Sequence, residues 1–195
     1  MHYVYYPLDY KPEDGNPSLY YSQYAVVYKD AIHVLLKESL KSPPRHDYSL
    51  APIHFLLRQY IELQLKGIIM CAEQSHETII EHDIIKLYEK AHKTIEQRYG
   101  LEELGKPNED VERFIRSLGE FDRKAQAFRY PEGKDGKDFF DESVKMDAWL
   151  RERIISLPKL NEIAKKITGD LEGIWGYLQD KRENEEETLA NADRP

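Results

Sequence analysis

Arg58, Glu62 and Lys66 stand at four-residue steps within the most apolar stretch of the chain, and their types and spacing are the first to suggest chemistry. Such steps place the three on one helix face, as an exposed ladder of ion pairs or as a polar site turned toward a neighbouring helix. Glu62 ahead of Lys66 is the favourable orientation for a ladder, which makes the ladder the simpler expectation. His82 and Asp83 come at the start of the next helical segment, where a cap and an acidic first turn explain them as readily as a ligand site does. Arg129 and Tyr130 lie in AQAFRYPEGKDG, where Phe128 and Tyr130 flank a guanidinium and the Gly-rich loop behind it is suited to close on a ligand. An arginine favoured by a helix C-terminal dipole is the alternative. Arg58, Glu62, His82, Asp83, Arg129 and Tyr130 form the candidate polar or ligand site, and none is assigned a catalytic role.

The net charge of -8 argues against bulk attraction to nucleic acid or anionic lipid. One local exception runs from Arg113 to Lys137, where seven cations face four carboxylates. Arg116, Arg123 and Lys124 are its candidate basic surface. None of the seven histidines belongs to an HExxH. Glu73 with His76 and Glu89 with His92 have the Glu-x-x-His spacing of carboxylate-bridged metal bundles. The first pair straddles an expected helix end and the second is flanked by Lys90 and Lys93, so neither a metal nor a cofactor is expected. Walker, GxGxxG and GxSxG patterns are absent from the sequence.

The elements that must position these residues read as helices. Residues 53 to 72 place Ile53, Leu56, Leu57, Tyr60, Ile61, Leu63, Leu65, Ile68, Met70 and Cys71 on a broad apolar arc, as a central helix touched on several sides requires. Arg58, Gln59, Glu62 and Lys66 are left as a narrow solvent seam, and Gln64 breaks the apolar arc. Cys71, the single cysteine, sits on that arc and is expected to be a packed, reduced thiol.

Residues 1 to 17, rich in Tyr and Pro, read as an extended arm. Ser18 caps a helix to about Leu40, and a third helix is expected from about Glu81 to Gln97, with Gly100 as its stop. Asn108 caps a fourth helix, drawn through Phe128, with Asp122 the one polar intruder on its stripe. The last helical region starts near Ser143 and re-initiates at Pro158, with Ser156 as cap. Residues 181 to 195 have little apolar content and read as an acidic, disordered tail. The expectation is an all-α, up-and-down bundle of about five helices occupying residues 18 to 180 as one domain. No apolar run approaches the length of a membrane span and no leader pattern opens the chain, so no membrane association and a cytoplasmic location are expected.

HDIIKLYEKA at 82 to 91, preceded by FLLRQYIELQLKGIIM and followed later by AFRYP at 127 to 131, resembles the HEPN superfamily of helical-bundle proteins. The resemblance implies an all-helical homodimer, frequent residence in toxin-antitoxin or phage-defence loci, and, in active members, metal-independent RNA cleavage at a composite dimer site. Those members carry an Arg followed four to six residues later by His. Arg129 occupies the matching region, but no histidine follows His92, so the acid/base partner of that chemistry is missing. The first functional expectation is therefore a non-catalytic, HEPN-like dimer that binds nucleotide, RNA or a protein partner. A divergent metal-independent ribonuclease and a structural subunit of a larger complex are the alternatives.

Overall fold

The computed structural model describes residues 17–41, 46–100, 108–122 and 148–192. Among them it contains six helices: α1 Pro17–Lys41, α2 His46–Glu73, α3 Ile84–Tyr99, α4 Glu109–Phe121, α5 Ala148–Ile155 and α6 Leu157–Ala192. No strand occurs among the described residues. The all-α expectation holds, with the final helical region divided in two.

The division falls at Ser156, whose carbonyl accepts the Leu160 amide at 2.8 Å while its own amide still closes on Glu152 at 3.1 Å. Pro158 then lies in the first turn of α6, where its missing N–H costs no helical bond.

The central helix is α2, which packs against α1, α3 and α6. Ile53, Leu57, Tyr60, Ile61, Leu65, Ile68 and Ile69 are all inaccessible or nearly so. A helix buried on this many sides explains why its apolar arc is too wide for a single face. Gly67 admits the start of α1: a Cβ there would stand 3.2 Å from the Ser18 carbonyl oxygen. Gln64 meets the same helix, accepting from the Ser22 hydroxyl at 3.5 Å. One turn earlier on the same side, the Tyr60 hydroxyl reaches the Thr168 carbonyl of α6 at 3.4 Å.

α2 ends with the Gln74 amide on the Cys71 carbonyl, the Ser75 amide on the Met70 carbonyl and Gln74 at φ 48°. This is the paired terminal bonding usually built on glycine. Gly100, at φ 84°, closes α3 as expected. Asn108 caps α4 through the Asp110 and Val111 amides.

Several boundaries differ from expectation. α2 begins at His46, with Pro52 inside it, rather than near residue 53. α3 begins at Ile84 rather than near Glu81, and Ser18 lies within α1 rather than before it. α4 stops at Phe121 because Asp122 leaves helical geometry at φ -120° and ψ 54°. α6 continues to Ala192 through the stretch read as a disordered tail. Glu185 explains much of that continuation: it accepts from Arg98 Nη2 and from Gln74 Nε2, each at 3.0 Å. An Arg182–Glu186 pair at 2.8 Å supports the same turns.

Candidate functional site

The polar seam of α2 is buried. Arg58 is 1 % exposed, Glu62 5 % and Lys66 4 %, which corrects the expectation of a solvent-facing ladder. The spacing argument correctly placed the three on one face; that face is covered by the segment leading into α3 and by the end of α4. Charges removed from water must be paired, and these are.

Arg58 Nη1 donates to Glu62 Oε2 at 3.0 Å, and Nη2 donates to the His82 carbonyl at 2.7 Å. Arg58 Nε lies 3.4 Å from Asp122 Oδ2, an ion pair whose geometry falls short of a hydrogen bond. Lys66 Nζ donates to Glu62 Oε1 at 3.0 Å, and the same oxygen lies 2.8 Å from His82 Nδ1. Burial alone would push the Glu62 carboxyl up, but its hydrogen bonds with His82, Lys66 and Arg58 outweigh burial and hold it below its ordinary value. The result is a carboxylate gripped from three directions.

His82 is fixed by its neighbours as well. Glu81 Oε1 accepts the His82 and Asp83 amides at 2.9 and 3.0 Å, and Asp83 caps α3 through the Ile85 and Lys86 amides. That turn presents the His82 carbonyl to Arg58 and its ring to Glu62. The His82 side chain nevertheless remains 71 % exposed. Asp83 thus has the capping role, one shell away from the charge cluster.

Arg58, Glu62 and His82 are brought together across two elements, as a site requires. Arg129, Tyr130, Arg123 and Lys124 lie outside the described residues. Arg116, the remaining candidate of the basic surface, holds Glu112 and Glu89 at 2.8 Å each, so its charge is spent within the bundle surface. Of the Glu-x-x-His pairs, Glu73 turns to Lys90 at 2.9 Å and Glu89 to Arg116. Among the described residues, no group of three or more His, Cys, Asp or Glu side chains is arranged to hold a metal ion.

Asp122 is the member of the cluster that sequence reasoning left out of the site. Its signal was a carboxylate interrupting the apolar stripe of α4, while Arg58 stood on the narrow polar seam of α2. A carboxylate buried on such a stripe calls for a cation, and Arg58 supplies one at 3.4 Å.

Two clefts lie elsewhere. One of about 290 Å³ is lined by Met70, Gln74, His76, Arg182 and Glu186 among others. Another of about 450 Å³ lies beside Ile79, Ile80, Lys86 and Lys90. Neither has Arg58, Glu62 or His82 in its wall.

Fold and cluster together define an all-helical bundle pinned by an internal ion network, and among the described residues no helix is long and apolar enough to cross a membrane. Compared with known proteins, the chain matches no family model, no curated protein and no solved structure.

Proposed function

We propose that this protein is a HEPN-like, dimeric helical bundle that binds rather than transforms its ligand, with the Arg58 cluster serving as a clamp. The observation that carries this reading is the internal consumption of charge. Arg58 and Lys66 are matched by Glu62 and Asp122, and the guanidinium has 1 % exposure to offer an incoming phosphate. A phosphate-stabilising arginine has to reach the position where charge develops. The HEPN-like reading is supported by contact between two of the stretches that carry the resemblance, since the helix around Arg58 grips the start of HDIIKLYEKA through the His82 carbonyl. A setting in defence or toxin-antitoxin systems rests on that resemblance alone.

Between the binding modes we take a protein partner over nucleotide or RNA, supported by the pairing of Arg116, the member of the candidate basic surface that falls among the described residues. Fluorescence anisotropy of labelled single-stranded RNA in low and moderate salt tests this choice. Weak, sequence-indifferent binding supports the protein-interaction mode; tight, salt-sensitive binding moves the reading to RNA.

A second reading keeps a metal-independent ribonuclease. It is favoured by one contact, Glu62 Oε1 to His82 Nδ1 at 2.8 Å with the ring otherwise open to solvent. A carboxylate-oriented imidazole is a general acid/base arrangement. RNA cleavage in EDTA that is lost in a folded His82→Ala variant would select it.

A further inference from the structure

The segment between α2 and α3 is not helical, yet it is tied at both ends. Its first residues bond back to α2, with the Gln74 and Ser75 amides on the Cys71 and Met70 carbonyls. Its last residues hang on the Glu81 carboxylate, which accepts the His82 and Asp83 amides, and on Arg58, which grips the His82 carbonyl. Between them the Glu77 amide closes on Ser75 Oγ at 3.1 Å. The Arg58 cluster therefore fixes a loop whose outer side carries Ile80, at 84 % the most exposed large hydrophobic residue among those described. An isoleucine standing alone at a surface needs no explanation, but Ile80 is the lip of the cleft of about 450 Å³. Leu87, a core residue, and Ile79, packed against the core, line the same cleft, so its apolar wall runs from the core out to Ile80. A loop ordered in advance lowers the entropic cost of docking onto it.

We infer that this cleft receives a segment of a partner protein that carries an apolar side chain beside a basic one. The charges on the rim select that chemistry. Three carboxylates, Glu73, Glu77 and Glu81, line the cleft against two lysines, Lys86 and Lys90. Both lysines are already engaged, Lys90 on Glu73 at 2.9 Å and Lys86 on Glu81 at 3.3 Å. Glu77 is exposed and is the carboxylate in excess. A cation brought in with the apolar anchor meets it favourably, whereas an acidic segment meets an unmatched charge of its own sign. The net charge of -8 favours the same partner at longer range. An apolar centre with a polar rim is the usual anatomy of a protein interface.

This inference rests on the protein-partner mode proposed above and specifies its surface. A labelled synthetic peptide of alternating leucine and lysine, titrated into the full chain and followed by fluorescence anisotropy and by the protein's amide spectrum, tests it. Companion peptides carry glutamate in place of lysine, or serine in place of leucine. The leucine and lysine peptide is expected to bind best, with shifts concentrated between Glu77 and Glu81 and between Lys86 and Lys90. Ile80→Ser should weaken it at least about fivefold and Glu77→Lys roughly threefold, with thermal melts unchanged because both side chains are exposed. A glutamate peptide that binds equally well at the same residues overturns the basic partner and leaves a docking cleft. Absence of binding, shifts elsewhere, or indifference to Ile80→Ser overturns the cleft itself. The protein-partner mode fails separately, through tight, salt-sensitive RNA binding.

Discussion

Two faces of neighbouring helices break the usual rule in opposite directions. On α2, Arg58, Glu62 and Lys66 are charged and buried; on α1, Val27 and Val34 are apolar and exposed. The first exception is resolved inside the chain, because each buried charge meets an opposite one from α2 itself or from the end of α4, while the turn before α3 adds the His82 carbonyl and ring. The second has no such resolution among the described residues. The difference separates an irregularity closed by internal partners from one that meets none among the described residues.

The largest effect should come from breaking the closed exception. Arg58→Ala leaves Glu62 and Asp122 buried with less compensation and frees the His82 carbonyl, so a loss of about 3–5 kcal/mol in denaturant unfolding is expected. The same network has a pH signature. The Glu62 carboxyl is lowered from its ordinary value of 4.5, so the folded state binds fewer protons there than the unfolded chain does. Its contribution is complete above that value and is lost as pH falls through the lower folded-state value. Thermal melts of the wild type below pH 5 should therefore fall more steeply than those of Glu62→Gln, measured as a slope against pH.

A packing change tests whether α3 and α4 are held as tightly as the cluster implies. A Cβ on Gly119 would meet Ile85 Cγ1 at 2.5 Å and Ile84 Cγ1 at 3.1 Å. Gly119→Ala should cost about 1–3 kcal/mol, read from the urea midpoint. A smaller change of opposite sign is expected at Gln64, which is 1 % exposed and has no partner for Nε2 among the described residues. Gln64→Leu combined with Ser22→Ala, which removes both partners of their 3.5 Å bond, should stabilise by about 1 kcal/mol, visible as a raised Tm. Arg116 supplies the control: it too holds two carboxylates, but its side chain is 41 % exposed. Arg116→Ala should change stability by no more than about 1 kcal/mol, against several for Arg58.

The sequence disclosed what local rules determine. The Asn108 and Asp83 caps, the Gly100 stop and the Ser156 break each depend on residues within one helical turn, and each is found where its chemistry calls for it. Periodicity also placed Arg58, Glu62 and Lys66 on one face. It did not reveal what covers that face, because the cover comes from His82 and Asp122, distant along the chain. The end of α4 was misjudged for the same reason: Asp122 leaves the helix to turn its carboxylate toward Arg58, a partner 64 residues earlier by subtraction of their sequence numbers. In the last helix, composition suggested disorder while Arg98 and Gln74 anchor Glu185 across separations of 87 and 111 residues. Pairings at that range leave no mark in a local window.

The most direct test of the central claim is incubation of total RNA and tRNA with purified wild-type and His82→Ala protein in EDTA, alongside thermal melts of both. A clamp predicts intact RNA with either protein and a stability difference confined to the loss of the Glu62 contact. RNA cut by the wild type and spared by an equally folded His82→Ala protein would contradict it, and would make the exposed imidazole on Glu62 a reaction centre.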